Sequence, residues 1–93
     1  MNILNEEQIT QELQALKGWE HSGEEISKEY SFPDFSVAMD FVNQVAKAAE
    51  TAQHHPDIYI SYNKVRLALS THSEGGITKK DIELARHIER MTQ

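Results

Sequence analysis

The chain contains no cysteine. That excludes a disulfide-stapled scaffold, thiol catalysis and the cysteine-rich zinc sites. No apolar run approaches the roughly 20 residues that a membrane helix needs. Basic runs are absent as well: nine Lys and Arg are scattered among fifteen Asp and Glu, for a net charge of -6. Phosphate binding requires a basic surface, so a nucleic-acid partner is not expected, and neither is a membrane. The opening stretch MNILNEEQIT has no basic segment followed by an apolar block, so no secretory signal is read there. Nothing calls for an oxidising compartment, and the expected location is the cytoplasm. Repeats, low-complexity segments and linkers are also missing. The flexible-looking spots are Ser22-Gly23 and Gly75-Gly76, both read as turns within one domain spanning residues 1–93.

What is present is an ordinary globular balance, 39% hydrophobic and 26% charged over 93 residues, enough for one core. Asn5 is a good N-cap with Gln8 as its capping-box partner, and Leu4 and Ile9 occupy the staple positions. Ile9, Leu13 and Leu16 continue as one stripe, and Gly18 ends the predicted helix. A second helix is predicted from Phe35 to His54 after Asp34 as N-cap. Ala38, Phe41, Val42, Val45, Ala46 and Ala49 form its buried face, and Pro56 stops it. Residues before proline avoid the α region, so His55 is expected outside the helix. A third helix follows Thr78, with Asp81 as the capping-box acid and Ile82, Ala85, Ile88 and Met91 as its stripe.

Strand patterns lie between the helices. Residues 58–62 and 65–70 alternate and are rich in β-formers, with Asn63-Lys64 as a two-residue turn lacking the preferred glycine. Residues 25–32 read as a further strand, paired with a short one around Trp19 to His21. The predicted class is α+β, with element order α-β-β-α-β-β-α and the helices on one face of an antiparallel sheet.

The histidines carry the chemistry. His54 and His55 stand side by side before Pro56. A turn at Asn63-Lys64 pairs Tyr62 with Val65, Ile60 with Leu67 and Ile58 with Leu69, one apolar face. Continued outward, that register sets His72 opposite His55. Glu50 is four residues before His54, so on a continuous helix the two share a face and Glu50 orients the ring. Two imidazoles in different settings suit proton transfer near neutral pH.

Glu50, His54-His55-Pro56, Tyr62, His72 and Asp81, separated by three, five, nine and eight residues, resemble the signature of the pterin-4a-carbinolamine dehydratases. The stretch YNKVRLALSTH, Gly18-Trp19 and Asp34-Phe35 extend the likeness over about residues 5 to 90. The resemblance implies a cofactor-free lyase that dehydrates 4a-hydroxytetrahydropterin to quinonoid dihydropterin, recycling the pterin of aromatic amino-acid hydroxylases. It implies a four-stranded antiparallel sheet with three helices on one side, and a homodimer or homotetramer. His54, His55 and His72 would be catalytic, with Glu50 as the acidic partner. Ser70, Thr71, Pro56 and Trp19 would contact substrate, and no metal would be needed. The chain departs from the pattern at Gln53, often acidic in the family, and at Ile58, often aromatic.

Blander readings stand beside this one. A histidine pair before proline also caps a helix, Trp19 also serves as core, and Asp81 is most simply a cap, outside the catalytic set. Three histidines can hold zinc, although adjacent ligands at a helix end make poor tetrahedral geometry. A non-enzymatic interaction or dimerisation module on the same fold would show the same stripes.

Overall fold

A computed structural model describes residues 3–92, so both ends of the expected 1–93 domain lie outside the described residues. Its elements are α1 (Glu6–Leu13), β1 (Glu20–Ser22), β2 (Glu25–Ser31), α2 (Phe35–Ala52), β3 (Asp57–Ser61), β4 (Lys64–Leu69) and α3 (Lys79–Met91). The predicted order α-β-β-α-β-β-α holds. The four strands form one antiparallel sheet in the order β1-β2-β4-β3. Alternate residues of the central strands, Ile26 and Tyr30 on β2 and Val65, Leu67 and Leu69 on β4, bury one face beneath the helices. Ile9 of α1, Ala38, Phe41, Val42 and Val45 of α2, and Ile82, Ala85 and Ile88 of α3 complete that core. Each such Ile or Leu stabilises the fold by roughly 1.5–3 kcal/mol.

The caps form as expected. Asn5 and Gln8 make a reciprocal capping box, Asp34 Oδ1 accepts from Val37 N, and Thr78 and Asp81 make a second capping box. Two helix ends and one face assignment differ from the expectation. First, α1 ends at Leu13 rather than running to Gly18. The backbone then tightens into three-residue turns, with Gln14 N, Ala15 N and Leu16 N bonding back to Gln11, Glu12 and Leu13 carbonyls. Leu16 still reaches the core. Gly18 follows at φ +88°, where a Cβ would stand 2.8 Å from Lys28 Cε. Second, α2 ends at Ala52. Gln53 adopts the left-handed conformation (φ 52°), Gln53 N bonds Glu50 O, and His54 N bonds Ala49 O. This pair of bonds is a Schellman motif, so both histidines lie outside the helix. Third, Ala46 is exposed, because it sits at the margin of the stripe defined by Ala38, Phe41, Val42, Val45 and Ala49.

The β3–β4 turn is Tyr62-Asn63, one residue earlier than predicted, so Ile60 pairs with Val65 and Ile58 with Leu67. Asn63 selects this turn: its side chain donates to Phe32 O at 2.8 Å, and its carbonyl accepts from Phe32 N at 2.9 Å. Partners shift by two residues, which preserves the faces.

At the last turn of α3, one carboxylate oxygen gathers three donors. Glu89 Oε2 accepts from Trp19 Nε1 at 3.1 Å, from Lys28 Nζ at 2.8 Å and from the Tyr30 hydroxyl. Burial works to raise the Glu89 pKa, but these hydrogen bonds and the Lys28 charge together hold it below the usual carboxylate value. Tyr30 is pushed the other way, by burial first and then by its bond to Glu89 and that carboxylate's charge.

Two predictions follow from these contacts. Gln53→Gly removes the left-handed strain at the end of α2 and is expected to stabilise the protein by about 0.5–1 kcal/mol, read as a rise in thermal midpoint. Glu89→Gln is expected to cost about 2 kcal/mol near neutral pH by urea unfolding. Because the folded-state pKa is depressed, the carboxylate's contribution is fully present above the ordinary value of an unfolded glutamate and is lost as pH falls through the lower folded value. The difference between wild type and Glu89→Gln should therefore shrink in acid.

Candidate functional site

The Schellman turn places the histidine pair. After Gln53 reverses the chain, the two rings leave in different directions. His54 reaches α3, where its Nε2 lies 2.5 Å from Asp81 Oδ1. His55 turns back along α2, with its Nε2 2.5 Å from Glu50 Oε2. This corrects the expected partnership of Glu50 with His54. That expectation required the helix to continue through His54, and the left-handed Gln53 breaks the four-residue face relation. The two pairs also differ in solvation. The His54 side chain is 11% exposed and that of Asp81 0%, against 62% and 77% for His55 and Glu50.

An ionised carboxylate only accepts, so in each pair the imidazole donates from Nε2. The opposite ring nitrogen, Nδ1, has no hydrogen-bond partner among the described residues in either ring. Each histidine is thus fixed in tautomer by a carboxylate and keeps one nitrogen free for proton transfer.

Asp81 is the residue the sequence reading left out. It is the helix cap expected there, but a cap uses one oxygen. Oδ2 accepts from Thr78 N at 2.9 Å and from Thr71 Oγ1 at 2.8 Å, and Oδ1 remains for His54. The available signal was its place at the end of the spaced signature. Thr71, expected at the substrate, is only 5% exposed, and its hydroxyl is engaged by Asp81 and Thr78. Its side chain faces inward.

The expected register does not hold for His72. Asp57 is opposite Ala68, not Ser70, so the register continued outward brings Ser70, rather than His72, level with His55. His72 is exposed in the turn after β4 and lines a shallow cavity with Ser70, Ser22, Glu24 and Glu25. Ser70 Oγ is buried there without a hydrogen-bond partner. His54 instead lines a groove between α2 and α3 with Lys47, Lys80, Leu84, His87 and Arg90. Trp19 is 5% exposed and spends its indole N–H on Glu89, so it belongs to the core and not to either cavity. Pro56 is half-buried, directly between the pair and β3. Among the described residues, no three His, Cys, Asp or Glu side chains come together as a metal-ligand set. No helix among them is long and apolar enough to cross a membrane.

The chain is thus an α+β sheet with helices on one face and two carboxylate-held imidazoles just past the end of α2. The sequence model described as pterin 4 alpha carbinolamine dehydratase matches residues 2–91, and the chain belongs to that family. A protein of Thermomicrobium roseum, provisionally named a pterin-4-alpha-carbinolamine dehydratase, is 49% identical over 91 residues, covering 98% of both chains. One of Acidobacterium capsulatum with the same provisional name is also 49% identical, covering 98% of this chain and 99% of its own. The crystal structure of a transcriptional coactivator/pterin dehydratase from Brucella melitensis superposes with a TM-score of 0.95 at 39% identity, over 99% of this chain and 100% of that one. A pterin dehydratase-like RuBisCO assembly factor of the alpha-carboxysome shares the fold alone, with a TM-score of 0.63 at 16% identity over 77% of this chain and 83% of its own.

Asp81→Ala is expected to destabilise the protein by about 3 kcal/mol, because three donors lose a buried acceptor together. Asp81→Asn, which keeps one oxygen, should cost less. Urea midpoints of the two variants check the order, and equal costs would contradict it.

Proposed function

We propose that the chain is a hydro-lyase that converts 4a-hydroxytetrahydropterin to quinonoid dihydropterin and water. The observation that supports this most directly is the pair of adjacent imidazoles, each held through Nε2 by a separate carboxylate, in a chain of this family. The reaction requires a proton on the C4a hydroxyl, so that the C4a–O bond breaks and water leaves. It also requires loss of the N5 proton, whose electron pair becomes the C4a=N5 double bond. One proton is delivered and one is taken, so each turnover returns the protein to its starting charge. Two imidazoles with free Nδ1 atoms suit this exchange.

In this reading His54 and His55 carry the proton steps, with Asp81 orienting the first and Glu50 the second. His72 and Ser70 meet the polar edge of the pterin, because the Ser70 hydroxyl is buried without a partner beside His72 in one cavity. The product serves the recycling of hydroxylase cofactor, at a cytoplasmic site. Phe35, Val37, Ile60 and Tyr62 are large apolar residues left exposed, which favours assembly into a homo-oligomer. The same exposed residues support the second reading, an interaction module that keeps the fold without the chemistry.

The deciding measurement is the rate of quinonoid dihydropterin formation, followed spectroscopically. Wild type is expected to accelerate it, with or without a chelator, and a rate equal to the uncatalysed reaction would overturn the reading. His55→Ala should lower turnover by about 100-fold with little loss of stability, since that ring is exposed. His54→Ala should lower turnover similarly but also destabilise, because it takes a donor from buried Asp81.

A further inference from the structure

We infer that Thr71 is a positioning residue of the candidate site: its side chain fixes His54 through Asp81, and its backbone holds the turn that presents His72. The kinetic part of this inference rests on the dehydratase reading; the structural coupling does not.

The hydrogen-bond directions are fixed by what each group can do. The Asp81 carboxylate only accepts, so the Thr71 hydroxyl donates to Oδ2 at 2.8 Å and His54 Nε2 donates to Oδ1 at 2.5 Å. With its hydrogen committed, the Thr71 oxygen is the acceptor for the Thr78 hydroxyl, also at 2.8 Å. The Thr78 oxygen in turn accepts from Lys80 N at 3.2 Å. The run Lys80 N–H, Thr78, Thr71 therefore points one way into the Asp81 carboxylate, which His54 meets as a donor from the other side, with Thr71 and Thr78 buried and Asp81 fully so. A donor on Oδ2 limits how the carboxylate can rotate, and Oδ1 is thereby aimed at the imidazole.

The backbone of Thr71 does a second task. Thr71 N donates to Gly76 O at 2.9 Å, and Thr71 O accepts from Glu74 N at 2.9 Å and Gly75 N at 3.0 Å. These bonds close the tight turn whose second residue is His72. One residue thus sets two histidines that stand in separate cavities. Threonine suits the position because β-branching restricts χ1 and keeps the hydroxyl aimed, while serine would retain the donor without that restriction.

The test compares Thr71→Val with Thr71→Ser by proton NMR of protein carrying isotope-labelled histidine. The Nε2–H of wild-type His54 should give a far-downfield resonance protected from exchange. Thr71→Val should move or broaden it, Thr71→Ser should keep it near its wild-type position, and the His72 ring signals should stay in place in both. In the activity assay, Thr71→Val should lower kcat about tenfold or more while KM changes little, with Thr71→Ser restoring most of the rate. If Thr71→Val does not fold, Thr71→Cys, whose thiol is a weak donor, carries the same comparison. A folded Val or Cys variant with the His54 resonance unmoved overturns the inference. A wild type without dehydratase activity but with the resonance moved in Thr71→Val removes the dehydratase reading and leaves the positioning role standing.

Discussion

The carboxylate of Asp81 has no contact with solvent, and the site depends on how that burial is satisfied. A buried carboxylate without partners is several kcal/mol too costly to keep. Here its oxygens draw on three segments: the exit of α2 through His54, the turn after β4 through Thr71, and the cap of α3 through Thr78. The position is also favoured electrostatically, since Asp81 lies in the first turn of α3, where the helix dipole attracts a negative charge. The ring that the chemistry needs is thus oriented by a group that the fold already needs.

The same helix carries a second gathering point at its other end. Glu89 collects Trp19, Lys28 and Tyr30, tying the last turn of α3 to β2 and to the segment before β1. The solutions differ in kind. A carboxylate near a helix C-terminus is opposed by the dipole, and Glu89 is offset by a lysine that also bonds the Lys17 carbonyl. Asp81, in the favourable position, has neutral donors and one imidazole. With both ends of α3 pinned, the apolar stripe of Ile82, Ala85 and Ile88 packs on the sheet with a settled rotation.

Much of this was legible in the sequence because local chemistry decides it. The capping boxes at Asn5 and Thr78, the Asp34 cap, most of the stripe of α2 and the inward face of β4 depend on residues a few positions apart, whereas Ile60 and Tyr62, expected on the same apolar face, are exposed at the sheet edge. The histidine geometry was not legible, for two identifiable reasons. Gln53 adopts a left-handed turn that glycine or asparagine would have announced, so the helix looked continuous through His54 and Glu50 was given the wrong ring. The turn of β3–β4 is chosen by Asn63 bonding to Phe32, a contact between elements separated by all of α2. Local turn preference cannot see it, and the error carried His72 to the histidine pair. The partners of Trp19 and Thr71 were hidden for a similar cause: their polar atoms are used inside the fold, on groups that only tertiary structure supplies.

The strand order β1-β2-β4-β3 has a consequence in time as well as in space. The hairpins β1–β2 and β3–β4 are local and inexpensive to close. The central pairing of β2 with β4 must wait until the chain between them, including α2, has been gathered in, and such non-local contacts slow folding. The histidine pair lies within that connection, and Asp81 lies beyond it on the last helix. The link between His54 and Asp81 therefore joins the late-gathered connection to the last helix, so a protein that has formed only its hairpins has no site. Any signal from that link reports a finished molecule.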